Sequence, residues 1–145
     1  RGLTAGMSYH LAGCCSPIKG DKIVGIVTAG IGVAVHTIDC ETLVSYQDAP
    51  DRWLDVSWEL NSNQDIISNS RIVVVLNNKP GSLGKVTSVI AKNNGNISNI
   101  NFSVRKADFF EIIIDIEVRD ANHLENIIAA LRMESEVSSL ERLKG

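Results

Sequence analysis

The fold is decided by the stretch from Arg71 to Asn101, which reads RIVVVLNNKPGSLGKVTSVIAKNNGNISNIN. The apolar run from Ile72 to Leu76 has the composition of a buried strand, and Pro80-Gly81 cannot continue it, because proline lacks an amide donor and glycine tolerates turn dihedrals. Apolar residues then recur at helical spacing, at Leu83, Val86 and Ile90. Asn94-Gly95 supplies a left-handed stop. The stretch therefore predicts a strand, a tight loop, a helix and a second strand.

The predicted loop places free backbone amides at the start of the helix. The amides of Gly81, Ser82 and Leu83 hold this position. A helix N-terminus favours a negative charge by ~0.3–1 kcal/mol, in addition to the hydrogen bonds themselves. The sequence therefore predicts a place to bind a small anion or a carboxylate.

Two strand patterns follow the predicted helix. The first runs from Ile97 to Arg105 and is expected to place Ile100, Phe102 and Val104 on one face. The second runs from Phe110 to Val118, with isoleucine or valine on one side and largely acidic residues on the other. This alternation indicates a strand with one buried face.

A second helix and a fourth strand complete the pattern. Asp120 opens the helix, His123 is expected on an exposed turn of it, and Val137 to Leu143 reads as the last strand. The apolar residues of the helix follow helical spacing: Leu124, Ile127, Ile128 and Leu131. We expect a split βαβ unit, an antiparallel sheet with two helices on one face. Only about 80 residues are available for burial, so the other face is left for a partner or a second copy.

The residues before this unit predict a small β-rich module. Strands are expected at Ile23 to Thr28, Val33 to Thr37 and Trp53 to Trp58, with Asp39 capping a short helix. The polar stretch Asn61 to Asp65 has no periodicity and is the candidate linker. The predicted fold class is α+β, with one domain over residues 1–62 and a βαββαβ domain over residues 66–145.

Composition narrows the class of protein. The sequence has 145 residues, a formal net charge of −3 and 44% hydrophobic residues, which is ordinary for a globular protein and argues against a nucleic-acid-coating one. No window approaches the roughly 20 apolar residues of a membrane span, so we expect a cytoplasmic location and no membrane partner. No Walker loop, nucleophile elbow or paired-carboxylate arrangement is present, which argues against a self-sufficient enzyme. Because the sequence begins at Arg1, we expect a fragment of a longer protein.

The cysteines and one histidine supply a candidate metal site. Cys14, Cys15, His36 and Cys40 provide the number and type of ligands that tetrahedral zinc takes, in a structural role. Adjacent cysteines in an extended chain point to opposite faces, so both reach one metal only where the backbone bends sharply. The alternatives are small buried thiols with His36 satisfied in a strand, and a vicinal disulfide.

Two groups of motifs resemble known families. Asn78-Lys79-Pro80-Gly81-Ser82-Leu83, followed by Gly95-Asn96-Ile97, resembles the signature of ACT domains. Upstream, the segments from His10 to Pro17, Gly20 to Ile23 and Val35 to Cys40 resemble the conserved-cysteine, zinc-finger-like module of the long RelA/SpoT homologues. The two modules in this order are more specific than either alone.

The resemblance implies the C-terminal regulatory region of a bacterial stringent-response enzyme. Such enzymes make or degrade the alarmones ppGpp and pppGpp, and this region would be non-catalytic, with no catalytic residues of its own. The implied ACT domain binds an amino-acid effector at the interface of paired domains and biases the catalytic domains of the parent chain. The alternative is a ligand-free interaction module for self-association or for docking on the ribosome or its RNA.

The resemblance also implies where an amino acid binds. The expected site residues are Asn78, Gly81, Ser82, Leu83, Asn96, Ile97 and Ser98. The loop amides suit a carboxylate, and the side chain of Asn96 suits either the ammonium or the carboxylate. The apolar residues nearby favour a branched aliphatic side chain, so valine, isoleucine and leucine are the expected ligands.

Overall fold

The computed structural model describes residues 8–28, 30, 32–58 and 67–143. The chain divides into two compact units between Gln64 and Asp65. The expected linker, Asn61 to Asp65, lies outside the described residues. In the part of the chain that is described, no helix has the length and apolarity needed to cross a membrane.

The first unit is a four-stranded sheet. Its strands are β1 (Tyr9–Leu11), β2 (Ile23–Thr28), β3 (Gly32–Thr37) and β4 (Trp53–Leu54), in the spatial order β1-β3-β2-β4. β1 runs parallel to β3, and the other pairs are antiparallel. Short 3-10 helices span Glu41–Tyr46 and Pro50–Arg52. A small core of Ala12, Cys15, Ile26, Cys40 and Leu43 holds the unit together.

Two expectations for this unit are wrong. The helix at Glu41–Tyr46 is a 3-10 turn capped at Cys40 without a side-chain hydrogen bond, so Asp39 is not its cap. The strand expected from Trp53 to Trp58 pairs with β2 through two residues only. Beyond Leu54 the chain leaves the sheet, and Val56 is buried against Gly25, where an added Cβ would lie 3.1 Å from the Val56 Cγ1 atom.

The second unit has the predicted order of elements. It contains β5 (Ser68–Asn77), α1 (Ser82–Lys92), β6 (Asn96–Arg105), β7 (Phe109–Val118), α2 (Ala121–Arg132) and β8 (Val137–Leu143). The sheet order is β6-β7-β5-β8, and every pairing is antiparallel. The α+β class and the split βαβ arrangement are therefore confirmed.

The core of this unit lies between the two helices and one face of the sheet. Alternate residues of β5 and β7 are buried there with the apolar faces of the helices: Ile72, Val74, Leu76, Ile112, Ile114, Ile116, Val86, Ile90, Leu124, Ile127 and Leu131. The intervening sheet residues are half-buried or exposed. We call the side that the helices do not cover the outer face.

Strand β6 departs from the expected alternation. Its pairing with β7 shifts register between Ile97 and Asn99 and again between Phe102 and Val104. As a result Phe102 pairs with Ile112 on the helix side, whereas Val104 pairs with Glu111 on the outer face. The expectation that Phe102 and Val104 share one face is wrong, because a bulge reverses the alternation.

The predicted left-handed stop after α1 is confirmed. The left-handed residue after α1 is Asn94, with φ 64°. Gly95 instead allows close packing, because an added Cβ would lie 2.8 Å from the Ile127 Cδ1 atom and 2.9 Å from the Ile90 Cγ2 atom.

His123 is only 4% exposed, so its expected place on an exposed turn is wrong. The predicted cap is confirmed, since the Asp120 carboxylate accepts a hydrogen bond from the His123 amide.

Candidate functional site

Four metal-ligating side chains meet at one point of the first unit. One ligand atom from each of Cys14, Cys15, His36 and Cys40 lies within 4.8 Å of all the others. The Cys14 Sγ atom is 3.3 Å from the His36 Nδ1 atom and 3.4 Å from the Cys40 Sγ atom. The Cys15 Sγ atom is 3.9 Å from the same histidine nitrogen. This cluster of one nitrogen and three sulfur atoms could hold a metal ion.

A tight turn makes the cluster possible. The Ser16 amide donates to the Ala12 carbonyl at 3.0 Å, and Ser16 itself takes a positive φ of 45°. The sharp bend required by the two adjacent cysteines is therefore present. His36 lies near the end of β3, and Cys40 follows three residues after the strand ends at Thr37, so a short stretch supplies both remaining ligands.

The surroundings of the cluster act differently on its ligands: they oppose ionisation of Cys15 and favour that of Cys40. Cys15, His36 and Cys40 are buried and Cys14 is exposed, and all three cysteines are free thiols. Burial raises the pKa of Cys15 to about 11, although the hydrogen bond from the Thr37 amide acts to lower it. Burial also opposes ionisation of Cys40, yet hydrogen bonding from Cys14 and the Thr42 backbone lowers its pKa overall. Burial and the nearby His10 charge lower the pKa of His36 and favour the neutral imidazole that binds metals.

The loop between β5 and α1 is fixed to the turn between β6 and β7. The Asn78 Nδ2 atom donates to the Lys106 carbonyl at 2.7 Å, and the Asn78 amide donates to the Asp108 carbonyl at 3.0 Å. The residue that caps α1 is Gly81, with φ 89°. The side chain of Asn78 therefore joins two loops and does not cap the helix.

The three expected donor amides are not equivalent. The Ser82 amide already donates to the Lys79 carbonyl at 3.2 Å. Among the described residues, the amides of Gly81 and Leu83 have no such partner. The Ser82 hydroxyl is buried and has no hydrogen-bond partner among residues 8–28, 30, 32–58 and 67–143, and Leu83 is half-buried beside it. The loop therefore presents two free donors at the helix N-terminus.

The expected residues of β6 belong to a network on the sheet. The Asn96 Nδ2 atom donates to the Glu117 Oε1 atom at 2.7 Å. The Ser98 hydroxyl lies 3.2 Å from the Asn69 Oδ1 atom and 3.3 Å from the Asp115 carbonyl. Ile97 is half-buried opposite Ile116.

The two groups of expected site residues lie at opposite ends of the sheet. The loop group follows Asn77, which pairs with Phe109, whereas Asn96 pairs with Glu117, which in turn pairs with Asn69. From Asn69 to Asn77 the strand advances about 26 Å, at roughly 3.3 Å per residue. One copy of the chain therefore does not bring these groups together.

Sequence reasoning missed two members of these groups. Glu117 and the Lys106 carbonyl enter only through the pairing of distant strands. The regular alternation of β7 marks Glu117 as a residue of the outer face, but only the register shows which residue of β6 it meets. No local signal in the sequence identifies that contact.

The chain matches two family models. Residues 1–59 match the RelA/SpoT RIS domain, and residues 69–142 match the ACT domain. Over 128 residues the chain is 40% identical to the GTP pyrophosphokinase rsh of Brucella suis biovar 1 (strain 1330), covering 88% of this chain and 17% of that relative. Over 137 residues it is 30% identical to the bifunctional (p)ppGpp synthase/hydrolase SpoT of Escherichia coli (strain K12), covering 94% and 19%.

A solved structure gives a similar match. The crystal structure of the ACT domain from the GTP pyrophosphokinase of Chlorobium tepidum is 28% identical, with a TM-score of 0.48, and the match covers 54% of this chain and 100% of that chain. The chain spans less than a fifth of the length of the two curated relatives above.

Proposed function

Because this chain belongs to the ACT domain family and joins that domain to the RIS domain of RelA/SpoT homologues, we propose that it senses a branched-chain amino acid. The sensing site lies between two ACT domains, and its occupancy biases the (p)ppGpp synthetase or hydrolase domains of the parent chain. The part of the relatives that the chain matches is regulatory, since it consists of the RIS and ACT domains.

The observation that carries this proposal is the free edge of β6. β6 is an outermost strand of its sheet, spans 10 residues and has one charged residue, Arg105, at its end. A long edge strand without charges or proline in its middle is a template for pairing with another strand. A second copy of the same strand is the simplest partner, since a two-fold axis pairs equal strands in antiparallel orientation.

Antiparallel pairing of two β6 strands unites the separated groups. When the axis passes near Ile100 and Asn101, the middle of the strand, Asn96 of one copy comes close to Arg105 of the other. Lys106 follows Arg105 in the chain, and the Lys106 carbonyl accepts a hydrogen bond from the Asn78 side chain of the same copy. The loop group of one copy therefore lies next to the β6 group of the second copy, which produces two identical sites per dimer.

The chemistry of the combined site matches an α-amino acid. The free amides of Gly81 and Leu83 at the start of α1 suit the carboxylate. Asn96 from the second copy supplies a side-chain amide for the other polar end of the ligand. Leu83 and Ile97 are both half-buried and apolar, and Ile97 faces the helix side of the sheet, opposite to Asn96. A branched aliphatic side chain such as that of valine, isoleucine or leucine fits these neighbours.

Regulation follows from sharing the site between copies. A ligand that contacts both copies binds the dimer more tightly than the monomer, so it shifts the population towards the dimer. A tenfold preference corresponds to ~1.4 kcal/mol, which is within the range of allosteric coupling energies. The catalytic domains of the parent chain would respond to that shift.

The test is titration calorimetry with isoleucine and valine, together with sedimentation velocity at several ligand concentrations. We expect saturable binding and a dimer fraction that rises with ligand. Asn96→Ala should abolish the heat, whereas Asn101→Ala, the same change at the middle of the same strand, should retain it. No binding at millimolar concentrations of any branched-chain amino acid would contradict the proposal.

The cysteine cluster supports a second part of this proposal, a structural zinc ion in the RIS domain. Three thiolates and one imidazole nitrogen are a common ligand set for structural zinc. Elemental analysis of the purified chain should find about one zinc per chain. Cys40→Ser should reduce that content, and a chain with fully reduced thiols and no bound zinc would favour small buried thiols instead.

The free edge of β6 also favours an alternative function. The same strand pairs two copies without any ligand, in an interaction module that self-associates or docks on the ribosome or its RNA. This alternative predicts a dimer whose stability does not change with amino acids. The sedimentation experiment therefore separates the two functions.

A further inference from the structure

We propose that Glu117 makes the shared site specific for α-amino acids over 2-oxo acids, by fixing the orientation of the Asn96 side-chain amide. This inference rests on the function proposed above. Glu117 is a positioning residue in this role, since it acts on the ligand through Asn96.

The inference begins from one short hydrogen bond. The Asn96 Nδ2 atom lies 2.7 Å from the Glu117 Oε1 atom. An ionised carboxylate only accepts hydrogen bonds, so it can bind only the NH₂ end of the amide. Glu117 therefore selects one of the two orientations of the Asn96 amide. The Oδ1 atom of Asn96 remains as the acceptor for a ligand.

The neighbouring contacts leave Glu117 available for this role. Glu117 pairs with Asn96 on β6 and with Asn69 on β5. The Arg71 side chain on the same face is engaged by Asp115, with its Nε atom 2.7 Å from the Asp115 Oδ1 atom. Within the described residues, no basic side chain forms an ion pair with Glu117. The negative charge beside Asn96 is therefore not neutralised by a salt bridge from the part of the chain that the structure describes.

This arrangement resolves which end of the ligand Asn96 binds. An exposed Oδ1 atom next to a carboxylate attracts an ammonium group, which is a donor and a cation. It repels the keto oxygen of a 2-oxo acid, which is only an acceptor. The ligand carboxylate then belongs to the free amides at the start of α1. Sites built to hydrogen-bond one ligand group can reject an analogue without it by a factor of 100 or more.

The experiment compares isoleucine with its 2-oxo analogue, 3-methyl-2-oxopentanoate, by titration calorimetry on the 145-residue chain. We expect the wild-type chain to prefer isoleucine by at least ~100-fold. Glu117→Gln should reduce that ratio at least ~10-fold, because a glutamine can also donate and so permits the opposite orientation of Asn96. The control is Glu111→Gln, an acid on the same strand and face whose carboxylate accepts from the Ser103 hydroxyl at 2.7 Å.

A second measurement tests the contact without any ligand. The side-chain amide resonances of Asn96, assigned by NMR, should shift in Glu117→Gln and stay in place in Glu111→Gln. Unchanged Asn96 resonances in Glu117→Gln, or a selectivity ratio equal to the wild type, would overturn the inference and leave amino-acid sensing intact. Absence of isoleucine binding to the wild-type chain would overturn the sensing function, and the role of Glu117 with it.

Discussion

At the scale of single residues, His123 shows how a polar group contributes to the core of the ACT unit. Its Nδ1 atom accepts from the Arg119 amide at 3.0 Å, so the proton lies on Nε2, which donates to the Asn93 carbonyl at 2.6 Å. The imidazole therefore joins the start of α2 to the end of α1. Both partners are backbone groups, the amide of Arg119 and the carbonyl of Asn93.

Removing this imidazole should destabilise the unit. His123→Ala empties a side-chain position that is only 4% exposed and removes both hydrogen bonds, each of which contributes about 0.5–1.5 kcal/mol. We expect a loss of at least ~2 kcal/mol in the free energy of unfolding, measured by urea denaturation. Asn122→Ala, at the exposed neighbouring position, is the control. A loss in His123→Ala no larger than in the control would show that the bridge adds nothing.

Two glycines of the same unit should respond in opposite directions to alanine. Gly95→Ala places a methyl group against Ile90, Ile116 and Ile127, the nearest atom at 2.8 Å, and overpacking of this kind costs about 1–3 kcal/mol. Gly84→Ala lies in α1 with no atom within 4 Å of the added methyl group, and should stabilise by about 0.5–1 kcal/mol. Thermal unfolding of both variants measures the difference. Equal shifts would contradict the packing role of Gly95.

At the scale of elements, β6 and β8 are the two edge strands of one sheet, and they differ in charge. The middle of β6 carries no charge, whereas β8 contains Glu141 and Arg142. At the β6 bulges the hydroxyls of Ser98 and Ser103 each bond a carbonyl of β7, which compensates for the interrupted ladder. β6 thus stays attached to the sheet while its outer edge remains free to pair.

A charge at the centre of β6 should weaken this pairing. In an antiparallel two-fold pair the middle residues of the two copies meet, so Asn101→Lys places two like charges close together. We expect the dimer dissociation constant to rise at least ~10-fold in sedimentation velocity, and the apparent affinity for isoleucine to fall with it. Ser139→Lys on β8 adds the same charge to the opposite edge and should change neither. Equal effects of the two variants would exclude β6 as the pairing edge.

The elements of the ACT unit could be predicted because their periodicity is long and regular. The alternation of β7 and the helical spacing from Leu83 to Ile90 both identify buried faces directly. The shorter elements of the first unit lack such a signal: the alternation from Trp53 to Trp58 predicts six residues of strand, of which only Trp53 and Leu54 pair. The bulges of β6 and the burial of His123 depend on partners distant in sequence.

The candidate sites could also be predicted only as far as they depend on local sequence. The types of ligand in Cys14, Cys15, His36 and Cys40 are visible in the sequence, whereas the turn that brings the two adjacent cysteines together, with its positive φ at Ser16, is seen only in the structure. The separation of the loop from Asn96 was not visible, since it depends on strand register. The proposed site is shared by two copies, so the geometry of one copy alone does not form it.

At the scale of the whole molecule, two units with separate cores should respond to separate ligands. The first unit surrounds the cysteine cluster, and the second has its own core between sheet and helices. A ligand that binds only the folded state stabilises the unit that holds it, by about 2.7 kcal/mol at a concentration 100 times its dissociation constant. Zinc should therefore act on one unfolding transition and isoleucine on the other.

Calorimetric scans of the wild-type chain test this separation. We expect a chelator and Cys40→Ser to lower the midpoint of the same transition, that of the first unit. We expect isoleucine to raise the midpoint of the other transition, which His123→Ala should lower. Asn96→Ala should lose the effect of isoleucine and keep the effect of the chelator, because it alters only the second unit. A single transition that both treatments shift together would contradict independent units. It would instead show that metal and amino acid stabilise one cooperative structure, which would couple the two sites directly.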